Sequence, residues 1–254
     1  MTSTPTHLTI ITGASRGMGL AMAARLLRDG HELLCISRKP NPALDEFAAQ
    51  AGMPCEQWPH DLARAASAAA KLETWLASRD AGALASATLI NNAGLLPKIA
   101  PLSELAADDL ADALRVDLEA PMLLTSAFLR ATASWTAQRK VLNISSGMGR
   151  RPMASQAAYC AAKAGMDHFS RCVALEEAGR PNGARICSLA PGVIDTDMQV
   201  QLREGDPGQF PDVGNFIGLQ EKGLLSTPDD AAARVLAYLA REDFGTKPVA
   251  DVRD

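Results

Sequence analysis

Apolar positions along the chain change period several times. Residues 8–12 (Leu-Thr-Ile-Ile-Thr) form a short β-branched run that stops at Gly13, as a buried strand does. Apolar residues then recur at helical spacing over 18–29, among good helix formers, until Gly30 ends the pattern. Further strand-like runs lie at 32–37, 54–59, 88–91, 140–145, 184–189 and 249–252. Helical patterns fill 64–79, 108–133 (Pro121 sitting near its middle or kinking it), 155–178 and 228–241, the last with Thr227 as N-cap. Strands alternating with helices of a dozen or more residues make βαβ units. The pattern therefore predicts an α/β chain: a single-domain, doubly wound, Rossmann-type parallel sheet of about seven strands with helices on both faces. No Pro/Gly/Ser-rich linker and no repeat divides residues 1–254. The stretch 196–223, loop-rich and of mixed charge, predicts a substrate-loop insertion.

Composition narrows the function classes. The chain has 254 residues, 47% of them apolar, and a formal charge of −4. That gives a sizeable core but no Lys/Arg excess for phosphate backbones, so no nucleic-acid partner is expected. No run is long and apolar enough to span a membrane, and the start, 1–7, has no charged segment followed by an apolar one. The five cysteines (Cys35, Cys55, Cys160, Cys172, Cys187) show no metal spacing. They predict a reduced, cytoplasmic chain without a structural metal.

The first strand runs into Thr12-Gly13-Ala14-Ser15-Arg16-Gly17-Met18-Gly19. In a doubly wound sheet a dinucleotide lies at this strand end. Gly13 permits a tight turn, Gly17 lets backbone approach phosphate oxygens, and Gly19 lets the helix pack closely. The helix N-terminus, with Ser15 to Gly19 around it, then offers free N–H groups to an anion. The bland reading of such a turn is purely structural, but its place directly after the first strand favours the cofactor. A sheet that binds NAD usually carries an acid after the second strand. Here the strand ends Ile36-Ser37-Arg38-Lys39. Arg38 stands where a 2′-phosphate needs a cation, and Arg16 adds a second, so NADP(H) is predicted. Asp61 and Leu62, after the third strand, would border the adenine.

Tyr159-Cys160-Ala161-Ala162-Lys163 puts a phenol and an ammonium on one helix face. A neighbouring cation favours phenolate, so the pair predicts a Tyr159 titrating below its free value. Ser145 and Ser146 end a strand. Ser145 reads as a strand-end cap. Ser146 would donate a hydrogen bond to a carbonyl oxygen, Tyr159 would deliver the proton, and Lys163 would hold the nicotinamide ribose and tune Tyr159.

Taken together, T-G-x-x-x-G-x-G, Asn91-Asn92-Ala93-Gly94, Ser146, Tyr159-x-x-x-Lys163 and Pro191-Gly192 resemble the short-chain dehydrogenase/reductase family over nearly the whole chain. The resemblance implies that Asn92, Ala93 and Gly94, with Asn91, steady the central sheet and line the adenosine ribose. It implies that Pro191, Gly192, Val193 and Ile194 lie against the nicotinamide and that Thr196 reaches its carboxamide. It also implies a homodimer or homotetramer built through the helices around 108–133 and 155–178. In one place the chain departs from the family: Asp117 stands where members usually carry an Asn that holds a water in a proton relay. Asp lacks the amide N–H but can still hold a water through its oxygens. Pro121 with 122–125, the Asn143–Ser146 run and the ending at 249–254 resemble the sepiapterin reductase and benzil reductase branch, with Asp251 the closest match to a pterin-anchoring Asp.

The expectation is an NADP(H)-dependent carbonyl reductase acting on a small-molecule ketone or diketone. Leu95, Leu96, Met148, Met153, Met198, Phe210 and Phe216 are candidates for an apolar wall. The competing reading is a non-catalytic NADP(H)-binding regulator of the same fold, and the intact Ser146, Tyr159 and Lys163 set speaks against it.

Overall fold

The inner strands carry runs of buried residues that suit a sheet covered on both faces, whereas the edge strand Cys55–Pro59 is mostly uncovered. The computed structural model describes residues 6–254; of the start read above, 1–7, the first five positions lie outside them. Strands β1 (Thr6–Thr12), β2 (His31–Ser37), β3 (Cys55–Pro59), β4 (Leu84–Asn91), β5 (Gln138–Ile144), β6 (Arg185–Ala190) and β7 (Val249–Asp251) form one seven-stranded sheet in the order β3-β2-β1-β4-β5-β6-β7. All pairings are parallel. The order reverses between β1 and β4, so their carboxyl ends open a crevice between crossovers that leave in opposite directions.

Neighbouring side chains on β1 point to opposite faces. Ile11 packs with Met22 and Leu26 of α1 (Gly17–Arg28) and Val235 of α9 (Pro228–Ala240). Ile10 packs on the other face with Leu72 of α3 (Ala65–Ala77) and with Leu124 and Phe128 of α5 (Ala120–Ala131). Phe128 is fully buried, and truncating such a side chain to Ala costs about 3–5 kcal/mol.

Three elements differ from the sequence pattern. Helix α2 (Pro42–Ala51) fills a segment given no element. Asn41 caps it by accepting the Ala43 N–H at 2.9 Å, Pro42 takes its first turn, and Gly52 ends it at φ 66°. The 108–133 helix is three pieces: α4 (Ala107–Leu114), a π-helical turn (Arg115–Glu119) and α5. The irregularity lies just before Pro121, where a missing N–H disturbs the regular ladder. The stretch 196–223 is also not mainly loop. It forms α7 (Asp197–Arg203) and α8 (Val213–Glu221). Helix α6 (Ala157–Ala178) lies where expected.

Candidate active site

A cleft of about 790 Å³ opens at the carboxyl ends of the strands. Its floor is the glycine turn. Gly13 adopts φ 69°, and its N–H is held by the Ile36 carbonyl at 2.8 Å. Gly19 is tighter still: a Cβ there would stand 2.2 Å from the Gly13 carbonyl oxygen and 2.5 Å from Asn92 Nδ2. The close packing expected of Gly19 is thus against the turn itself. Asn92 braces it, donating Nδ2 to the Thr12 carbonyl at 2.9 Å and the Gly13 carbonyl at 3.2 Å, while Thr12 Oγ1 accepts the Asn92 and Ala93 amides. Helix α1 has no acidic residue in its first turn and no side-chain cap. Its amino end is therefore free to meet an anion.

Of the residues expected to hold a cofactor, Gly13, Ser15, Arg16, Gly17, Met18, Gly19, Arg38, Asp61, Leu62, Asn92, Ala93, Gly94, Tyr159, Lys163, Pro191, Gly192, Ile194 and Thr196 line this cleft, and Val193 does not. Val193 turns its carbonyl to the Ser226 amide at 2.9 Å, bracing the strand end. Asp61 lines the cleft while its carboxylate accepts the Ala63 N–H at 3.1 Å. Arg38 is exposed, with no ion pair among the described residues, and the neighbouring Ser37 hydroxyl is buried without a hydrogen-bond partner. Arg16, expected as a second phosphate cation, instead forms an exposed ion pair with Asp197 at the start of α7. That partner was not foreseen, because it lies 181 residues away.

Tyr159 and Lys163 face the same space, with the Lys163 ammonium 5.5 Å from the Tyr159 ring centre. Both are buried, at 6% and 3% exposure. Ser146 lines the cleft beside them, its Oγ accepting the Met148 N–H at 3.2 Å. The lowered phenol expected from sequence is not found. Burial pushes Tyr159 above its ordinary value; Lys163 and a hydrogen bond to Ser146 pull it down, Asp117 pushes it further up, and burial prevails. For Lys163 burial works downward, but the charges of Asp117 and Tyr159 outweigh it and raise it.

Asp117 lies behind this pair and does not line the cleft. It is fully buried at the π-helical turn, with Oδ1 3.4 Å from Lys163 Nζ and accepting the Leu95 N–H at 3.1 Å. Its Oδ2 has no hydrogen-bond partner among the described residues. Burial raises the Asp117 carboxyl, and Lys163 opposes that shift. Lys163 also donates to the Ile144 carbonyl at 3.1 Å.

Of the seven candidates for an apolar wall, Leu95, Leu96, Met148 and Met198 line the cleft, whereas Met153, Phe210 and Phe216 do not and belong to the apolar cluster beside it. Leu96, Phe210 and Phe216 pack with Tyr159, Leu202 and Val213, and Met148, Met153 and Met198 lie against them. Leu95 lines the cleft without joining that cluster. Leu202, which sequence reasoning missed, comes from α7, where apolar spacing over one short helix gave little signal. Asp251 does not line the cleft; its carboxylate is taken by Arg253 at 2.6 and 2.7 Å. All five cysteines are free thiols. No described helix is long and apolar enough to cross a membrane.

Comparison with known proteins gives concordant matches. The family described as short chain dehydrogenase matches residues 7–207. The chain is 36% identical to benzil reductase ((S)-benzoin forming) of Bacillus cereus, over 92% of this chain and 94% of that protein. It is 31% identical to sepiapterin reductase of Meriones unguiculatus, over 96% and 95%. Among solved structures, the KRED1-Pglu enzyme superposes with a TM-score of 0.80 at 25% identity, covering 96% of this chain and 99% of that one.

Proposed function

Because the chain belongs to the short-chain dehydrogenase family, we propose that this oxidoreductase is an NADP(H)-dependent carbonyl reductase, reducing a ketone or 1,2-diketone to the alcohol. One observation carries the reading: a buried phenol and ammonium share a cleft with the glycine turn, and the phenol is also part of an apolar cluster. The cofactor fits the residues present. The bare amino end of α1 suits a pyrophosphate. Arg38 and the Ser37 hydroxyl beside it, neither with a partner among the described residues, suit a 2′-phosphate. Bound in reduced form, the nicotinamide supplies the hydride.

The chain's own residues do the rest. Ser146 donates a hydrogen bond to the substrate carbonyl oxygen as negative charge develops there. Tyr159 gives that oxygen its proton. A phenol raised by burial stays protonated at neutral pH, the form a general acid needs for reduction. Lys163 holds the ribose and, through its charge, keeps the phenolate left behind from becoming too costly. Asp117 anchors Lys163 from behind. Thr196, Gly192, Ile194 and Pro191, which line the cleft, frame the nicotinamide side, and Val193 keeps that segment in place. Leu96, Met148, Met198 and Leu202 exclude water and suit an apolar, aryl-bearing diketone such as the one that names the Bacillus cereus relative. Segment 196–223, with α7 and α8, serves as the substrate cover. Five free thiols suit a reducing compartment, the cytoplasm. The exposed Leu114, Met122 and Leu175 of α4, α5 and α6 suit a homo-oligomer joined through those helices.

The test is steady-state turnover of benzil, a reduced pterin and simple ketones with NADPH and with NADH. The reading expects benzil turnover with NADPH favoured by tenfold or more, about the effect of one charge-assisted contact. Equal use of both cofactors removes the NADP(H) assignment. Tight NADPH binding with no turnover of any carbonyl compound returns the non-catalytic regulator.

A further inference from the structure

Tyr159, Lys163 and Asp167 follow one another at i, i+4 intervals along α6. The helix that presents the reactive pair therefore carries a carboxylate on the same face one turn further on. Asp167 is 2% exposed. Its Oδ1 accepts two hydroxyls, Ser145 at 2.6 Å and Ser188 at 2.7 Å. Its Oδ2 makes no hydrogen bond among the described residues but has Arg150 Nε at ion-pair distance, 3.4 Å, and Arg150 donates Nη2 to the Ala250 carbonyl at 2.6 Å. One side chain thus touches the segment that ends β5, the middle of β6 and the turn after Ser146, and through Arg150 it reaches β7.

What these contacts hold is the platform of the site. Ser145 directly precedes Ser146, and its amide is fixed by the Leu189 carbonyl at 2.9 Å. Ile144, one residue earlier, receives the Lys163 ammonium at 3.1 Å. The turn after Ser146 lies hard on α6: a Cβ added at Gly149 would stand 3.0 Å from the Lys163 carbonyl carbon. A carboxylate buried here is costly to desolvate, and only its two hydroxyls and one guanidinium offset that cost. Neutral hydroxyls would close a strand end more cheaply, so the charge points to a demand for fixed geometry. Ser145, read from sequence as a simple cap, is one arm of this device.

We infer that Asp167 is a positioning residue, locking the Ser146 segment against α6 at the level of Lys163 and tying it through Arg150 to the C-terminal strand. The kinetic consequence rests on the carbonyl-reductase reading above; the geometric one does not. Two measurements separate them. Backbone hydrogen–deuterium exchange in the apo protein needs no substrate. Asp167→Ala is expected to speed exchange across 145–150 and 249–254 by about tenfold or more while β1 and α1 keep wild-type protection. Unchanged exchange in both segments overturns the inference. In turnover, Asp167→Ala is expected to lower kcat about 10- to 100-fold, the scale of a misplaced catalytic group, with the KM for NADPH unchanged. Asp167→Asn, which keeps one acceptor oxygen but turns an amide toward Arg150, falls between. Ser188→Ala gives a smaller loss of the same kind and carries the test should the alanine variant not fold. A kcat within about twofold of wild type, or a kcat loss matched by equal loss of NADPH affinity, contradicts positioning. A wild-type protein that reduces no carbonyl compound removes the functional reading and leaves the exchange result to decide the geometric one.

Discussion

In the proposed reduction Tyr159 must be a phenol when the carbonyl accepts hydride, and its buried surroundings favour that form. Burial and the nearby Asp117 charge raise it; Lys163 and Ser146 act against them. Tyr159→Phe is expected to lower kcat by about 100- to 10,000-fold, the span of a lost general acid, while NADPH titration by fluorescence stays near wild type. Retained turnover would remove Tyr159 from the proton step. The sign for Asp117 follows from the same charges. Asp117→Asn removes an anion that raises both Tyr159 and Lys163, so the alkaline limb of the kcat profile in reduction moves to lower pH, with activity at neutral pH unchanged or higher. A limb that stays put or moves up contradicts the pairing. Arg38→Ala is expected to raise the KM for NADPH by roughly 10- to 150-fold, or about 1.5–3 kcal/mol, and to leave the KM for NADH nearly unchanged. Equal rises would mean that Arg38 meets no 2′-phosphate.

At the scale of elements, the strands and the glycine turn were legible because each has a local signal: β-branched runs, a glycine at a strand end, a Tyr and Lys one turn apart. Gly19 shows how strict that code is. Gly19→Ala would drive a methyl into the Gly13 carbonyl, and overpacking of this kind costs about 1–3 kcal/mol. Thermal unfolding should show it as a lower Tm, with weaker NADPH binding because the turn has moved; an unchanged Tm would mean the turn yields freely. Helix α2 also had a local signal, Asn41-Pro42 at one end and Gly52 at the other, which apolar periodicity over so few residues did not reveal. The π-helical turn had its trace in Pro121, whose missing N–H disturbs the ladder; what left none is the tertiary use of that turn, the buried Asp117 carboxylate meeting Lys163 and the Leu95 amide. The same holds for Arg16 with Asp197 and for the Asp167 device, whose partners come from distant strands. Phenol acidity was misjudged for a related reason: the spacing shows the cation but not the depth of burial that outweighs it.

At the scale of the molecule, the parallel sheet brings to one crevice residues that chain order scatters from Gly13 to Thr196. Leu175 is 79% exposed on α6, and Leu114 and Met122 are exposed on α4 and α5; the proposed homo-oligomer would cover them. Light scattering is expected to find a dimer or tetramer, and a Leu114→Glu/Leu175→Glu double variant should shift it toward monomer. A monomeric wild type would refute that use of the surface. In the proposed reaction, hydride and proton converge on one substrate carbonyl at Tyr159. Mass spectrometry of the product formed from benzil and NADPH deuterated at the transferring C4 position tests it most directly. The account predicts benzoin carrying one deuterium on the carbinol carbon with the wild-type protein and almost none formed with Tyr159→Phe. Benzoin without the label, or equal labelled product from both proteins, would contradict it.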